Sequence, residues 1–167
     1  MLDGIRIKPL ERFVDERGFF SEVMRTDWKD LFGEDTIAQS NFSYTYPGVI
    51  RAWHRHLRGQ VDYFLVLRGA AKICGFDDKK AELNEVVSSG FDLQLVRMPG
   101  HYWHGFKAVG TEPTMLVYFT TNLYNPSDPD EERRDWNDPT LIPKIINGKK
   151  NHPCVGKSWD WNYPPHK

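Results

Sequence analysis

The stretch RAWHRHLRGQVDYFLVLRG, Arg51 to Gly69, places two histidines one residue apart, followed by an acid, an apolar block and a glycine. Side chains two residues apart on a strand point to the same face, so an extended segment aims His54 and His56 in one direction. Asp62 lies six residues beyond His56 and keeps the same parity if no bulge intervenes. The pattern predicts a strand pair that directs two imidazoles and a carboxylate into one interior.

Strand patterns dominate the rest of the chain, and turns rich in Gly and Pro recur about every ten residues, which is typical of a sandwich or barrel. The predicted strands are Tyr63 to Leu67, Ala71 to Phe76, the alternating run Phe91, Leu93 and Leu95, and Met115 to Thr120. One helix is predicted, capped by Thr26 and ended by Gly33. The fold class is therefore all-β with few short helices.

The composition predicts one globular domain over residues 1–167, with 40% hydrophobic residues and a formal net charge of −1. That charge gives no positive field for nucleic acid, and no apolar run reaches the roughly 20 residues of a membrane span. Cys74 and Cys154 are too few for a disulfide framework. With no signal peptide evident, we expect a cytoplasmic protein. Residues 147–167 predict an extended tail that packs on the domain or on a partner subunit.

The residues alone leave three roles open for the histidines. In the first role, the histidines are structural groups with local hydrogen bonds. In the second, one histidine is a proton-transferring base whose pKa is tuned near neutral pH. Alternatively, His54, His56, Asp62 and His104 form a set of three nitrogens and one oxygen, which suits divalent iron, manganese or zinc.

Short motifs in the same order along the chain resemble the dTDP-4-dehydrorhamnose 3,5-epimerase family. They are DERGFFSEVM at Asp15 to Met24, QSNFS at Gln39 to Ser43, GVIRAWH at Gly48 to His54, HGF at His104 to Phe106, the pair Tyr118 and Tyr124, and DWNDP at Asp135 to Pro139. The resemblance implies a double-stranded β-helix, the cupin or jelly-roll barrel, usually as a homodimer. It also implies epimerisation of a 4-keto-6-deoxy sugar nucleotide at C3 and C5 without metal or other cofactor, as in the rhamnose branch of polysaccharide biosynthesis.

The resemblance further implies roles for individual residues. His54 matches the base and Tyr118 the acid that returns the proton from the opposite side. The matched substrate-binding positions are Arg17, Glu22, Gln39, Asn41, Arg51, His104 and Tyr124, to which we add His56 as the neighbour of the base. We expect a cavity lined by aromatic residues such as Phe20, Trp53, Tyr63 and Tyr118.

Three departures from the family pattern concern the same region. Asp62 stands where the family has a lysine beside the sugar carbonyl, and His56 stands where it usually has glutamine. The downstream S-x-K-D segment, whose aspartate orients the base, is missing, and the candidate replacements are Asp160, by its location near the end of the chain, and Asp62. The changes keep two alternatives open: a 3,4-ketoisomerase of a nucleotide sugar, and a metal-dependent cupin that uses His54, His56, Asp62 and His104.

Overall fold

The computed structural model describes residues 1–163 and is built almost entirely of strands. The elements are β1 (Arg6–Pro9), β2 (Phe13–Asp15), β3 (Gly18–Phe20), α1 (Lys29–Phe32), β4 (Gln39–Thr45), β5 (Ile50–Arg55), β6 (Val61–Arg68), β7 (Ala70–Asp77), β8 (Glu82–Ser89), β9 (Gln94–Pro99), β10 (Trp103–Val109), β11 (Thr114–Thr120), β12 (Glu132–Arg133) and β13 (Ile145–Ile146). The all-β prediction is confirmed.

Two sheets form the layers of a cupin barrel. The five-stranded sheet has the order β1-β9-β6-β11-β4, and the six-stranded sheet has the order β12-β5-β10-β7-β8-β13. A third, two-stranded sheet is the hairpin β2-β3. Neighbouring strands are antiparallel except β13, which runs parallel to β8. The strand that carries His54 and the strand that carries Asp62 therefore belong to different layers of the barrel.

The alternation along β6 separates the interior from the outer face of its sheet. Phe64 and Val66 join the core between the two sheets, together with Ile73 and Phe106 from the six-stranded sheet. The intervening Tyr63 and Leu65 pack on the other side, against Leu31 and Phe32 of α1. Asp62 has the parity of Phe64, so it faces the interior, as the sequence predicts.

The chain ends cover the outer faces of the sheets. The N-terminal part, through α1, covers the five-stranded sheet. At the other end, Trp159 and Trp161 join a buried cluster with Trp53 and Trp103 on the six-stranded sheet. Within the predicted tail, residues 147–163 belong to the part that the structure describes, and residues 164–167 lie outside it.

Two local predictions differ from the structure. The helix spans only Lys29–Phe32, and its N-cap is Trp28 without a side-chain cap, so Thr26 does not begin it. Phe91, predicted to begin a strand, is 90% exposed and lies outside it. The strand β9 begins three residues later, at Gln94. Alternation alone does not fix where a strand starts. Within residues 1–163, no helix is long and apolar enough to cross a membrane.

Candidate active site

A cavity of about 1090 Å³ opens between the two sheets at one end of the barrel. Its walls come from β4, β5, β6 and β11, and from the segment 122–136 that follows the last long strand. His54 and His56 reach it from the six-stranded sheet, and Asp62 and Tyr118 from the five-stranded sheet. A ligand in this cavity therefore has polar groups from both layers.

His54 and His104 lie beside each other because β5 and β10 pair at that point. The two residues are register partners, and their ring centroids are 4.2 Å apart. The next residue, Gly105, lies at an irregularity of the pairing, where an added Cβ would approach the Ala52 side chain to 2.4 Å. Only glycine fits this contact, which gives the HGF motif a physical reason.

Asp62 is the centre of a buried hydrogen-bond network. Its Oδ2 lies 3.0 Å from Nε2 of His104, and its Oδ1 accepts a hydrogen bond of 2.8 Å from the Gln60 amide. His104 Nδ1 lies 2.8 Å from the carbonyl oxygen of Tyr102. Both nitrogens of His104 thus lie within hydrogen-bonding distance of acceptor oxygens, which fixes the direction of its ring. Although burial raises the pKa of Asp62, its contacts with His104 and His56 bring it well below the usual range.

His56 is fixed by Asp130, which belongs to the segment 122–136 in the cavity wall. Its Nδ1 donates a hydrogen bond to the carbonyl oxygen of Asp130, and its Nε2 lies 3.6 Å from Asp62 Oδ2. The Asp130 carboxylate accepts hydrogen bonds of 2.9 Å from the backbone N–H groups of Leu57 and Arg58. Burial lowers the pKa of His56, but Asp62 and Asp130 outweigh it, so the net shift is upward.

His54 and Tyr118 differ from this network because their reactive atoms are free. Within residues 1–163, neither the His54 ring nor the Tyr118 hydroxyl has a hydrogen-bond partner. Burial, followed by neighbouring His104, holds the pKa of His54 well below 6.5, so the ring is neutral near pH 7. Burial, followed by Asp62, raises the pKa of Tyr118 above 10, so its hydroxyl keeps its proton. A neutral imidazole accepts a proton, and a protonated phenol donates one.

Four arginines line the cavity, and three of them are ion-paired. Arg58 pairs with Asp128, Arg133 with Glu131, and Arg134 with Asp78. Arg51 donates a 3.2 Å hydrogen bond to the hydroxyl of Thr45 and, within the described chain, has no carboxylate partner. Arg51 is therefore the cavity arginine with its charge available to an anionic ligand.

Most of the site residues predicted from the sequence line this one cavity. Gln39, Asn41 and Tyr124 do so and are linked, because Gln39 donates to Asn41 Oδ1 at 2.7 Å and accepts from the Tyr124 backbone at 2.9 Å. His104, predicted to contact substrate, is 0% exposed and lies behind the cavity wall. Arg17 and Glu22 do not reach the cavity of their own chain. Their partners are Asp15 and Arg25.

Two of the aromatic residues expected in the cavity lie elsewhere. Tyr63 faces away from it and stacks on Phe32 with centroids 4.7 Å apart, because it alternates with the inward Asp62. Phe20 is 65% exposed on the hairpin β2-β3. Tyr118 lines the cavity, as expected. Trp53 contributes to the cavity wall, but its ring packs on Trp161, with centroids 4.6 Å apart, in the cluster on the outer face of the six-stranded sheet.

Sequence reasoning missed Gln60 and Asp130. Gln60 lies between the histidine pair and Asp62, and its position two residues before a predicted inward residue could have indicated it. Asp130 comes from a segment 74 residues beyond His56, with no local pattern that indicates the contact.

The donor set also satisfies the basic geometric requirement for a metal site. One ligand atom from each of His54, His56, Asp62 and His104 lies within 4.8 Å of the other three. Three imidazoles and one carboxylate suit zinc, iron(II) or manganese.

Comparisons with known proteins show the family of this chain. A family model described as the polysaccharide biosynthesis C-terminal domain matches residues 13–132. The probable low-salt glycan biosynthesis epimerase Agl13 of Haloferax volcanii is 42% identical over 81% of this chain and 95% of its own length. The spore coat polysaccharide biosynthesis protein SpsL of Bacillus subtilis is 35% identical over 84% of this chain and 94% of its own length.

A solved structure supports the same relationship. The dTDP-6-deoxy-D-glucose-3,5-epimerase of Legionella pneumophila, crystallised with dTDP-4-keto-L-rhamnose, superposes with a TM-score of 0.74. It is 27% identical, and the match covers 84% of this chain and 78% of that one. The fold and the site define a cupin epimerase, with acid–base groups inside an all-β barrel. The chain belongs to the polysaccharide biosynthesis C-terminal domain family, among the relatives of dTDP-4-dehydrorhamnose 3,5-epimerase.

Proposed function

We propose that this enzyme epimerises a 4-keto-6-deoxy sugar nucleotide at C3, C5 or both, through removal of the proton beside the ketone. The observation that carries the proposal is the placement of His54 and Tyr118, which line one cavity from opposite sheets and have free reactive atoms. A C–H group beside a ketone is acidic because its anion delocalises onto oxygen as an enolate. Inversion requires a base on one face of that carbon and an acid on the other.

His54 acts as the base. Its neutral ring lies half-buried in the cavity, and the absence of a hydrogen-bond partner within residues 1–163 leaves a ring nitrogen free to accept the proton. Desolvation makes the ring a weaker base in the free protein. The carboxylate of Asp62 acts in the opposite direction and favours the imidazolium that forms.

Tyr118 acts as the acid. The hydroxyl is half-buried on β11 and carries its proton across the neutral range because its pKa is raised. Delivery of this proton to the face opposite His54 gives the inverted carbon. The proton balance closes when His54 and Tyr118 exchange protons with solvent between turnovers.

Arg51 binds the diphosphate. It is the cavity arginine without a carboxylate partner among residues 1–163, and a guanidinium presents a fork of donors that suits phosphate oxygens. Gln39, Asn41 and Tyr124 form a linked polar wall on the same cavity and complete the binding surface. The role of Asp62 in catalysis is to position the base. Asp62 is hydrogen-bonded to His104, and the ring of His104 contacts His54.

We propose that the working form is a homodimer. The hairpin β2-β3 exposes Phe13, Phe19 and Phe20 by 50–65%, and β4, at the edge of its sheet, exposes Phe42 by 60%. Exposed apolar patches of this kind mark interaction surfaces, and an uncovered edge strand needs protection. A second copy on this face would also explain why Arg17 and Glu22, predicted to bind nucleotide, do not reach the cavity of their own chain. The cytoplasmic location expected from the sequence stays a prediction.

The proposed function is tested by product analysis. The protein is incubated with dTDP- and UDP-linked 4-keto-6-deoxy sugars, and the products are identified by NMR. Inversion at C3 or C5 supports the proposal. Migration of the ketone to C3 would contradict the epimerase proposal and indicate a 3,4-ketoisomerase. A ligand that binds without conversion would indicate a binding protein.

A further inference from the structure

Two imidazoles in the barrel are anchored in the same way. His56 Nδ1 is bonded to the carbonyl oxygen of Asp130, and His104 Nδ1 to that of Tyr102 at 2.8 Å. A carbonyl oxygen only accepts, so each Nδ1 carries a hydrogen and each Nε2 is the nitrogen left for an ion, which would take the place of the present contacts of Nε2 with Asp62 and Gln60. Both Nε2 atoms are directed at one atom, Asp62 Oδ2, at distances of 3.6 and 3.0 Å.

This arrangement is the one that holds metal-binding histidines. A histidine ligand almost always donates its second N–H to a carbonyl or carboxylate, which fixes the tautomer and the direction of the ring. Here backbone carbonyls fix both rings before any ion binds. His54 has no such anchor within the described chain, which separates it from the other two.

The separations fit one divalent ion. Two ligand atoms about 2.1 Å from a metal are about 3.0 Å apart at a right angle and about 3.4 Å apart at the tetrahedral angle. The distances of 3.0 and 3.6 Å at Asp62 Oδ2 are close to these values. The Gln60 amide holds the other carboxylate oxygen at 2.8 Å, so Oδ2 remains for the ion. The 3.1 Å contact from Gln60 to His56 Nε2 is the one that an ion would replace.

Burial makes the three groups a built site. His56, Asp62 and His104 are 9%, 2% and 0% exposed, and no lysine or arginine within residues 1–163 forms an ion pair with Asp62. We propose that His56, Asp62 and His104 bind one divalent cation of the zinc, iron(II) or manganese class, and that His54 lies outside the ligand set. Two histidines and one carboxylate on one side of an ion leave its other positions open toward the cavity.

Metal binding at this site does not depend on the proposed function, although a bound ion would add to the chemistry of that function. An ion here would supply a Lewis acid close to the base, where the oxygen of an enolate needs positive charge. Only this chemical consequence rests on the proposed function. The binding itself is a property of three side chains and is measured without substrate.

The test is metal binding by variants matched for size. The full chain is purified in chelator, dialysed, and titrated with Zn²⁺ and with Mn²⁺ by calorimetry, and thermal unfolding is followed with and without each ion. We expect one equivalent of at least one of these ions to bind and to raise the melting temperature. Asp62→Asn and His56→Gln should each weaken binding by more than the 10–100-fold that loss of a second-shell partner costs. His54→Gln, the control from the same strand, should keep the affinity within a few-fold.

Two results would overturn the proposal. One is wild-type protein that binds neither ion stoichiometrically although it unfolds cooperatively. The other is His54→Gln that loses affinity as severely as Asp62→Asn, which would make His54 a ligand. Circular dichroism of each variant shows whether it folds, and His104→Gln gives a further ligand variant if Asp62→Asn does not. Product formation by chelator-treated protein, measured separately, distinguishes failure of the metal site from failure of the epimerase proposal.

Discussion

Asp62 Oδ2 lies 3.0 Å from Nε2 of His104, and the two side chains, carried by different sheets, are 2% and 0% exposed. The contact joins the two layers of the barrel and lies next to His54, whose ring centroid is 4.2 Å from that of His104. One buried histidine–carboxylate contact thus links the stability of the barrel to the position of the base.

Removal of one member of this pair should destabilise the fold. Asp62→Asn leaves the buried His104 without its carboxylate partner, and removal of one member of a buried pair of this kind typically costs about 3–5 kcal/mol. We expect the free energy of unfolding at pH 7, measured by denaturant titration in the presence of chelator, to fall by about this amount. The double variant Asp62→Leu/His104→Leu should recover part of the loss because no unpaired polar group remains buried. A single variant as stable as wild type would show that the pair does not form.

Tyr118→Phe should remove the acid but keep the fold. We expect turnover to fall by about 10²–10⁴-fold, the usual contribution of a positioned acid, with little change in melting temperature. The raised pKa of Tyr118 means that the protonated, active form persists to a pH above 10 and is lost as the pH rises further. Wild-type kcat/KM should therefore decline only above pH 10, and the residual activity of Tyr118→Phe should not show that decline. A wild-type decline centred well below pH 10 would contradict the assignment.

Arg51 and Arg58 provide a matched pair for the diphosphate. Arg51 has no carboxylate partner within the described residues, whereas Arg58 is bound to Asp128 at 2.7 Å. Loss of a charged hydrogen-bond donor costs about 1.5–3 kcal/mol, so Arg51→Gln should weaken nucleotide-sugar binding by about 10–150-fold. Arg58→Gln should weaken it much less. Equal losses in the two variants, measured by calorimetry, would mean that the ligand displaces Asp128 from Arg58.

The homodimer proposal is tested at the hairpin and the edge strand. Phe20→Asp and Phe42→Asp each place a charge on the exposed apolar face, where it opposes burial against a second copy. We expect wild type to sediment as a dimer and the variants to shift toward monomer. Val87→Asp provides the control, since Val87 is 58% exposed on β8 of the other sheet and should leave the dimer intact. Monomeric wild-type protein at micromolar concentration would end the proposal.

The sequence predicted which side chains face the interior of the barrel better than it predicted their hydrogen-bond partners. His54, His56 and Asp62 were placed together because a strand has a period of two, and that period holds across the turn between β5 and β6. The same period should have excluded Tyr63, which follows Asp62 and faces the outer side. Asp130 and Tyr102 were not predicted as partners of the histidines, because a backbone carbonyl contact depends on the path of a segment and not on its side chains.

The most direct measurement is exchange of substrate protons with solvent. The wild type and His54→Ala are incubated with dTDP-4-keto-6-deoxyglucose in deuterated water, ligand binding is confirmed for both, and NMR follows deuterium at C3 and C5. We expect wild type to incorporate deuterium at one or both carbons and His54→Ala to lose at least about 10²-fold in rate. Wild-type protein that binds the sugar nucleotide without any exchange, or His54→Ala that exchanges at the wild-type rate, would contradict the account.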